Sequence, residues 1–321
     1  MLSGNFNMLR KNSLMVSIII PTYHAEKYLT TLLEKLKDQS FSEFELLIID
    51  SSSTDKTVEI AKKYTDNVIV IPQHEFDHGG TRTKAAQLAR GDILLFLTQD
   101  ALPFDTDTIE KMVKVFDNKQ IGAAYGKQLA YEETNLFGKH LRTFNYTDNS
   151  YIRDKKDIAQ YGIKTAFLSD SFAAYRKTAL EDIGWFKDAL ILGEDTYAGA
   201  KLILADYALA YVSEAKVYHS HSYTVIQEFK RYFDIGVFHQ CESWILKEFG
   251  KPEGEGMRYI KSEFKYLLET DAWYLIPEFF VRNGMKYLGY KMGKHYKKLP
   301  YWVIQKISMH HRWWKRTSTV L

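Results

Sequence analysis

Five short apolar runs punctuate the first 126 residues, and each of the first four leads through a polar cluster into a stretch with helical spacing. The runs are "VSIII" (16–20), "FELLIID" (44–50), "NVIVI" (67–71), "DILLFL" (92–97) and "IGAAYG" (121–126). Between them, "AEKYLTTLLEKLKD" sets Leu29, Leu32, Leu33 and Leu36 on one helical face. "DTDTIEKMVKVF" does the same with Ile109, Met112, Val113 and Phe116. "STDKTVEIAKKY" opens like a capped helix, and "TRTKAAQLA" reads as a short one. Strands alternating with helices predict an α/β fold with a mostly parallel sheet covered on both faces. Continuous apolar strands agree, because each face of such a strand is buried.

After about residue 130 the pattern loosens, and a second block (165–220) adds short strands and a helix to the same sheet. From Ser222 onward the chain reads as helical. We therefore expect a catalytic or binding domain over 15–222, in halves of 15–130 and 131–222, followed by a helical, basic region over 223–321. The net charge is only +3, yet Val281 to Leu321 holds ten Lys and Arg and no acid. That tail, with Tyr301, Trp302, Trp313 and Trp314 among its cations, suits an anionic membrane interface. A solvated helix with a few buried aromatics accounts for it as well, and nucleic acid is the less simple partner. The single cysteine, Cys241, excludes an internal disulfide, fits a reducing cytoplasm and reads as a small buried apolar residue. The N-terminus lacks a signal-peptide core and no run is long enough to span a membrane, so we expect a soluble or peripheral protein.

In open parallel sheets ligands bind beyond the carboxyl ends of the strands. Here those ends carry "PTYH" (21–24), "DSSSTD" (50–55), "FDHGGTR" (76–82) and "TQDA" (98–101). Neither G-x-G-x-x-G nor a P-loop occurs, so a site of carboxylates points to phosphates held through a metal. Asp100, a hard anion at a strand end, is the natural Mg²⁺ or Mn²⁺ ligand, with turn capping its other role. "HSHSY" sets His219 and His221 on one side of an extended segment, where His221 is the stronger candidate for the metal or a phosphate. Glu194 and Asp195 precede a helix in "LGEDTYAGAKLILADY", a position where acids also serve as caps.

The stretch from "VSIIIPTYHAEKYL" to "LLIIDSSSTDKT", continued by "GEDTYAGAKLILADYALAYV", resembles family 2 glycosyltransferases of the GT-A nucleotide-sugar fold. Within that family "FDHGGTR", "TQDA" and "HSHSY" resemble bacterial rhamnosyltransferases that use dTDP-L-rhamnose. The resemblance covers roughly residues 15 to 240. It implies that Thr22, Tyr23 and Asp50 hold the nucleobase and ribose, with Pro21, Ser52 and Gln99 beside them. A carboxylate can accept the N3–H of thymine or uracil, and Tyr23 offers a flat face for stacking. It also implies that Asp100 is the metal-binding acid of a D-x-D motif and that Asp195 is the base of an inverting enzyme. An acceptor hydroxyl needs such a base to become a nucleophile. Two departures stand out. Thr98 replaces the first acid of D-x-D, and Ser51 follows Asp50 where a second acid is common.

In "EFDHGGTRTK" we expect Gly79 and Gly80 to let the backbone approach the donor and Thr81 to start a helix aimed at an anion. Arg82 would reach a diphosphate oxygen, while Asp77 and His78 would bond the sugar hydroxyls. Asp170 and Glu194 are the candidates for acceptor contact. The implied partner is a lipid-linked bacterial surface glycan, on a polyprenyl diphosphate at the inner leaflet. Two other classes remain. A nucleotidyltransferase would want a glycine-rich basic loop after the first strand, where this chain has "PTYHAEKY". A non-catalytic scaffold would have no reason to keep Asp50, Asp100 and Asp195 together.

Overall fold

A computed structural model describes residues 14–250 and 253–317, and all structural statements concern these. The N-terminal stretch read for a signal peptide lies almost wholly outside them. Nine strands form one sheet: β1 (Val16–Thr22), β2 (Phe44–Asp50), β3 (Val68–Val70), β4 (Ile93–Leu97), β5 (Leu102–Pro103), β6 (Ile121–Leu129), β7 (Tyr151–Arg153), β8 (Phe172–Arg176) and β9 (Ala208–Tyr218). The order is β3-β2-β1-β4-β8-β6-β9-β5, with β7 on β9.

The part from β3 to β4 is parallel, as the alternating pattern predicts. Beyond it the sheet is mixed. β8 runs antiparallel between β4 and β6, while β9 returns parallel to β6. No sequence period announces that reversal, because β8 and the first half of β9 are buried on both faces.

Alternate residues of β1 serve opposite layers. Ile18 and Ile20 pack with Leu29, Leu32, Leu33 and Leu36 of the helix Glu26–Lys37, whereas Ile19 packs with Ala85 and Ala86 of the helix His78–Leu88. The helices after residue 222 cover that second layer. Phe233, Val237, Phe238 and Trp314 belong to the same core as Tyr175, Phe186 and Leu190, so the C-terminal region is packed into the α/β unit.

The end of the chain corrects an expectation. Asp234, wholly buried, accepts hydrogen bonds from Ser308 Oγ (2.6 Å) and Met309 N (2.8 Å). Trp313 Nε1 donates to Ala189 O (2.7 Å), and Trp314 is buried. Ser308–Arg316 therefore folds back onto the α/β domain with Trp314 buried and Trp313 half-buried, whereas Tyr301 and Trp302 remain exposed. Cys241 is another correction: it is exposed, with Sγ 3.6 Å from Tyr296 Oη. Among the described residues no helix is long and apolar enough to cross a membrane.

Candidate active site

The parallel register opposes Thr22 at the end of β1 to Asp50 at the end of β2. Thr22 Oγ1 donates to Asp50 Oδ1 (2.9 Å), Ser53 Oγ donates to the same oxygen (2.6 Å), and Ser53 N donates to Oδ2 (2.7 Å). Asp50 is 0% exposed, so it organises this turn, and a nucleobase would reach it only by displacing Ser53. Ser52 sits at positive φ and donates to Ile71 O (2.8 Å), which likewise holds the loop. Tyr23 is 39% exposed, with its ring stacked on His24. Its backbone exchanges two hydrogen bonds with the Gln99 amide (2.8 and 3.1 Å). That exchange ties the loop after Pro21 and Thr22 to the one carrying Asp100.

Asp100 has two histidines for neighbours. The pairing of Leu102 with Tyr218 lays the end of β9 beside the Asp100 turn. His219 Nε2 then stands 3.6 Å from Asp100 Oδ1, and ligand atoms of Asp100, His219 and His221 all lie within 4.8 Å of one another. Gln128 Oε1 lies 2.9 Å from His219 Nδ1, while the Gln128 amide nitrogen donates to Ser169 Oγ (2.9 Å). In that orientation Nδ1 carries the proton and the Nε2 lone pair faces the Asp100 carboxylate. Burial holds the His219 imidazole well below its usual pKa, so it is neutral. Two acceptors facing each other fit a shared cation, and the buried member His219 is the one that sequence reasoning ranked below His221.

The loop "EFDHGGTRTK" has its glycines and its arginine taken up by neighbouring segments, while its Phe76, Asp77 and His78 line an open groove. Its helix begins at His78, capped by Asp77, whose Oδ1 accepts from Gly80 N (2.8 Å) and whose Oδ2 accepts from Ala189 N (3.2 Å). Thr81 is therefore inside the helix and not its start. A Cβ on Gly79 would lie 1.9 Å from Lys187 O, so this glycine admits the neighbouring backbone rather than a ligand. At Gly80 the nearest atoms belong to Asp77 and Asp188.

Arg82 also departs from expectation. It is 6% exposed, with Nε 3.0 Å from Asp170 Oδ2 and Nη1 2.9 Å from Glu194 Oε1, and Nη1 also donates to His78 O (3.0 Å). An arginine so enclosed stabilises two buried carboxylates through Nε and Nη1. Asp170, almost wholly buried, further accepts from Tyr175 Oη (2.5 Å), which removes it from direct acceptor contact. Glu194 is buried in the same ion pair, with His78 Nδ1 3.9 Å away.

Asp195 is the member of this cluster that stays partly open. Gly193, at φ +81°, turns the chain into the helix Glu194–Leu204, and a side chain there would strike the Phe238 ring. Asp195 Oδ1 accepts from Thr196 N (2.6 Å), and the Asp170 backbone N–H also holds the carboxylate. Burial, then the Glu194 charge, lift its pKa to about 6 against the opposing pull of Thr196 N–H and Arg82. Burial pushes Asp170 up as well, with Arg82 offsetting part of the rise. In Glu194 Arg82 and His78 overcome burial and hold the pKa below the ordinary value. Burial and the ionised Glu194 thus bring Asp195 close to neutral pH, the range in which a general base works best.

Tyr23 and the Asp100–His219–His221 group lie beyond the strand ends, and Asp195, with its raised pKa, stands at the start of a helix beside the buried Arg82–Asp170–Glu194 cluster. The family model for glycosyl transferase family 2 matches residues 17–184, and the chain belongs to that family. It is 44% identical to the O-antigen chain rhamnosyltransferase WbaN of Salmonella anatum, over 93% of this chain and 95% of that one. Identity to the O-antigen chain rhamnosyltransferase RfbN of Salmonella typhimurium is 42%, over 93% and 96%. The mannosyltransferase PcManGT from Pyrobaculum calidifontis, solved with GDP-Man and Mn²⁺, matches with a TM-score of 0.63 over 88% of each chain at 15% identity. That likeness establishes the GT-A-type fold with its helical C-terminal extension.

Proposed function

We propose that this glycosyltransferase moves L-rhamnose from dTDP-L-rhamnose to a hydroxyl of a growing bacterial surface glycan, with inversion. The observation that carries the chemistry is Asp195, a half-open carboxylate with a pKa of about 6 beside a buried Arg82–Asp170–Glu194 cluster. The sugar rests on likeness to two O-antigen chain rhamnosyltransferases along nearly the whole chain.

In this reading Tyr23 stacks on the base, and Gln99 fixes the Tyr23 backbone relative to Asp100. The Asp195 carboxylate accepts the proton of the acceptor hydroxyl as that oxygen attacks the anomeric carbon. Arg82 is a positioning residue, since it fixes Asp170 and Glu194 and thereby the charge that Asp195 feels. Asp100, His219 and His221 would hold a divalent ion, which when bound neutralises charge on the departing diphosphate. One carboxylate with two imidazoles suits Mn²⁺ better than Mg²⁺, which prefers oxygen ligands alone.

The acceptor we propose is lipid-linked, at the inner face of the plasma membrane. Phe280, Val281, Tyr287 and Leu288 are exposed on the helix Ile276–Lys294, beside the exposed Trp273 and Tyr274, with Lys291, Lys294, Lys297 and Lys298 following. This face, rather than Trp313 and Trp314, is the one we assign to anionic lipid.

A donor screen with Mn²⁺ tests the proposal. Release of dTDP from dTDP-L-rhamnose in the presence of a lipid-linked glycan should exceed turnover of UDP-glucose, UDP-galactose and UDP-N-acetylglucosamine. Preference for any UDP-sugar would replace rhamnose in this account.

A further inference from the structure

The folded-back end of the chain borders an open groove of about 500 Å³ beside Tyr23 and the start of the helix His78–Leu88. Tyr23, Asp77 and His78 line one side, and His311, Arg312 and Arg316 line the other. We propose that Arg312, aided by Arg316, binds the diphosphate of the nucleoside diphosphate donor, so that the C-terminal segment supplies the cations of the donor site. This rests on the nucleotide-sugar reading above.

Four observations carry it. The segment is fixed in place: Asp234 holds Ser308 and Met309, Trp313 bonds Ala189 O, and the His310 ring meets His78 edge-on at 5.5 Å. The groove carries an excess of positive charge, because Arg312 and Arg316 face Asp77, the one acid among its described lining residues. The Arg312 guanidinium lies 6.0 Å from the centre of the exposed Tyr23 ring, and Tyr23 is bonded through Gln99 to the turn that bears Asp100. Finally, the arginine that sequence position offers to the diphosphate, Arg82, is enclosed between two carboxylates. A diphosphate leaving group needs forked, permanently charged donors, and Arg312 and Arg316 are placed to provide them. An isoprenyl diphosphate has the same anionic group. The Tyr23 face beside it, suited to a base, favours the nucleotide.

The test is calorimetry on the full chain with Mn²⁺, comparing wild type, Arg312→Ala, Arg312→Gln, Arg316→Ala and a control, Lys306→Ala, on the helix Tyr301–Ile307. The ligands are dTDP, UDP, GDP, thymidine and geranyl diphosphate. Loss of one forked charge-assisted contact predicts dTDP binding weakened at least about tenfold in both Arg312 variants and less in Arg316→Ala. Thymidine binding should change by less than about threefold, and Lys306→Ala should match wild type. Melting curves like wild type would show that the segment still packs, and Arg312→Gln retains a long polar side chain should the alanine variant fail to fold. Wild-type dTDP affinity in the Arg312 variants, equal loss of thymidine and dTDP, or loss of geranyl diphosphate alone would each overturn the inference while leaving the transferase reading intact. If wild type binds none of the three nucleoside diphosphates, the reading itself fails, and the inference with it.

Discussion

Replacing Asp195 with asparagine should stabilise the protein while abolishing transfer. Burial and Glu194 move this carboxyl from 3.8 to about 6. Keeping it ionised at neutral pH therefore costs the fold as much as about 3 kcal/mol, at about 1.4 kcal/mol per tenfold change in proton affinity. The folded protein holds this proton more tightly than the unfolded chain does. The penalty is accordingly absent below about pH 4, grows between about pH 4 and 6, and is constant above. Asparagine is neutral and similar in shape, and its oxygen can still accept from Thr196 N–H. Asp195→Asn should thus raise the melting temperature by a few degrees at about pH 7.5, with a smaller gain at about pH 5. Transfer should fall more than about a hundredfold, because an amide takes no proton from the acceptor. In the wild type, kcat/KM should drop as pH falls through 6, to roughly a tenth of its plateau one unit lower. Differential scanning fluorimetry and a dTDP-release assay measure both effects. A variant that is less stable than wild type and keeps more than a tenth of its turnover, or a flat wild-type profile between about pH 5 and 8, would refute the argument.

Further outcomes follow from the same geometry. Arg82→Met leaves Asp170 and Glu194 without their cation, so denaturation should show a loss of about 3–5 kcal/mol. With that positive charge gone, the Asp195 pKa rises further and the pH–rate profile should move to higher pH; an unmoved profile would separate Arg82 from the base. Gly79→Ala forces a methyl against Lys187 O, and melts should report about 1–3 kcal/mol of destabilisation with the pH profile unchanged. His219→Ala and Asp100→Ala should each abolish the response of activity to added Mn²⁺, and full wild-type activity in excess chelator would exclude the metal. Phe280→Ser combined with Tyr287→Ser should reduce sedimentation with anionic vesicles, whereas unchanged sedimentation would remove this face from the membrane account.

Much of this molecule is local in origin. The leucine face of Glu26–Lys37 follows from a period of 3.6, and the all-apolar β1 and β4 with polar groups at their ends follow from continuous apolar runs that stop at polar clusters. Asp195 at the start of a helix was equally visible, as was Asp100 at a strand end. The roles inside "EFDHGGTRTK" were not. Its composition announced a special loop, but glycine is equally suited to a ligand and to a neighbouring carbonyl, and here the carbonyl of Lys187 takes the space. A lone arginine likewise carries no sign of its partner.

Sequence by itself determined the parallel half of the sheet, the edge on which chemistry is placed and the carboxylates available there. Tertiary structure decided which of those groups meet. Pairing of Leu102 with Tyr218 brings His219 to Asp100, and the packing of His78–Leu88 against the start of Glu194–Leu204 encloses Arg82 between Asp170 and Glu194. The anchoring of Ser308 by Asp234 brings the exposed Arg312 of the basic tail to the Tyr23 ring. Periodicity encodes only whether a residue faces the core, whereas charge pairing and pKa depend on distances between segments remote in the chain, and those distances exist only once the layers have packed.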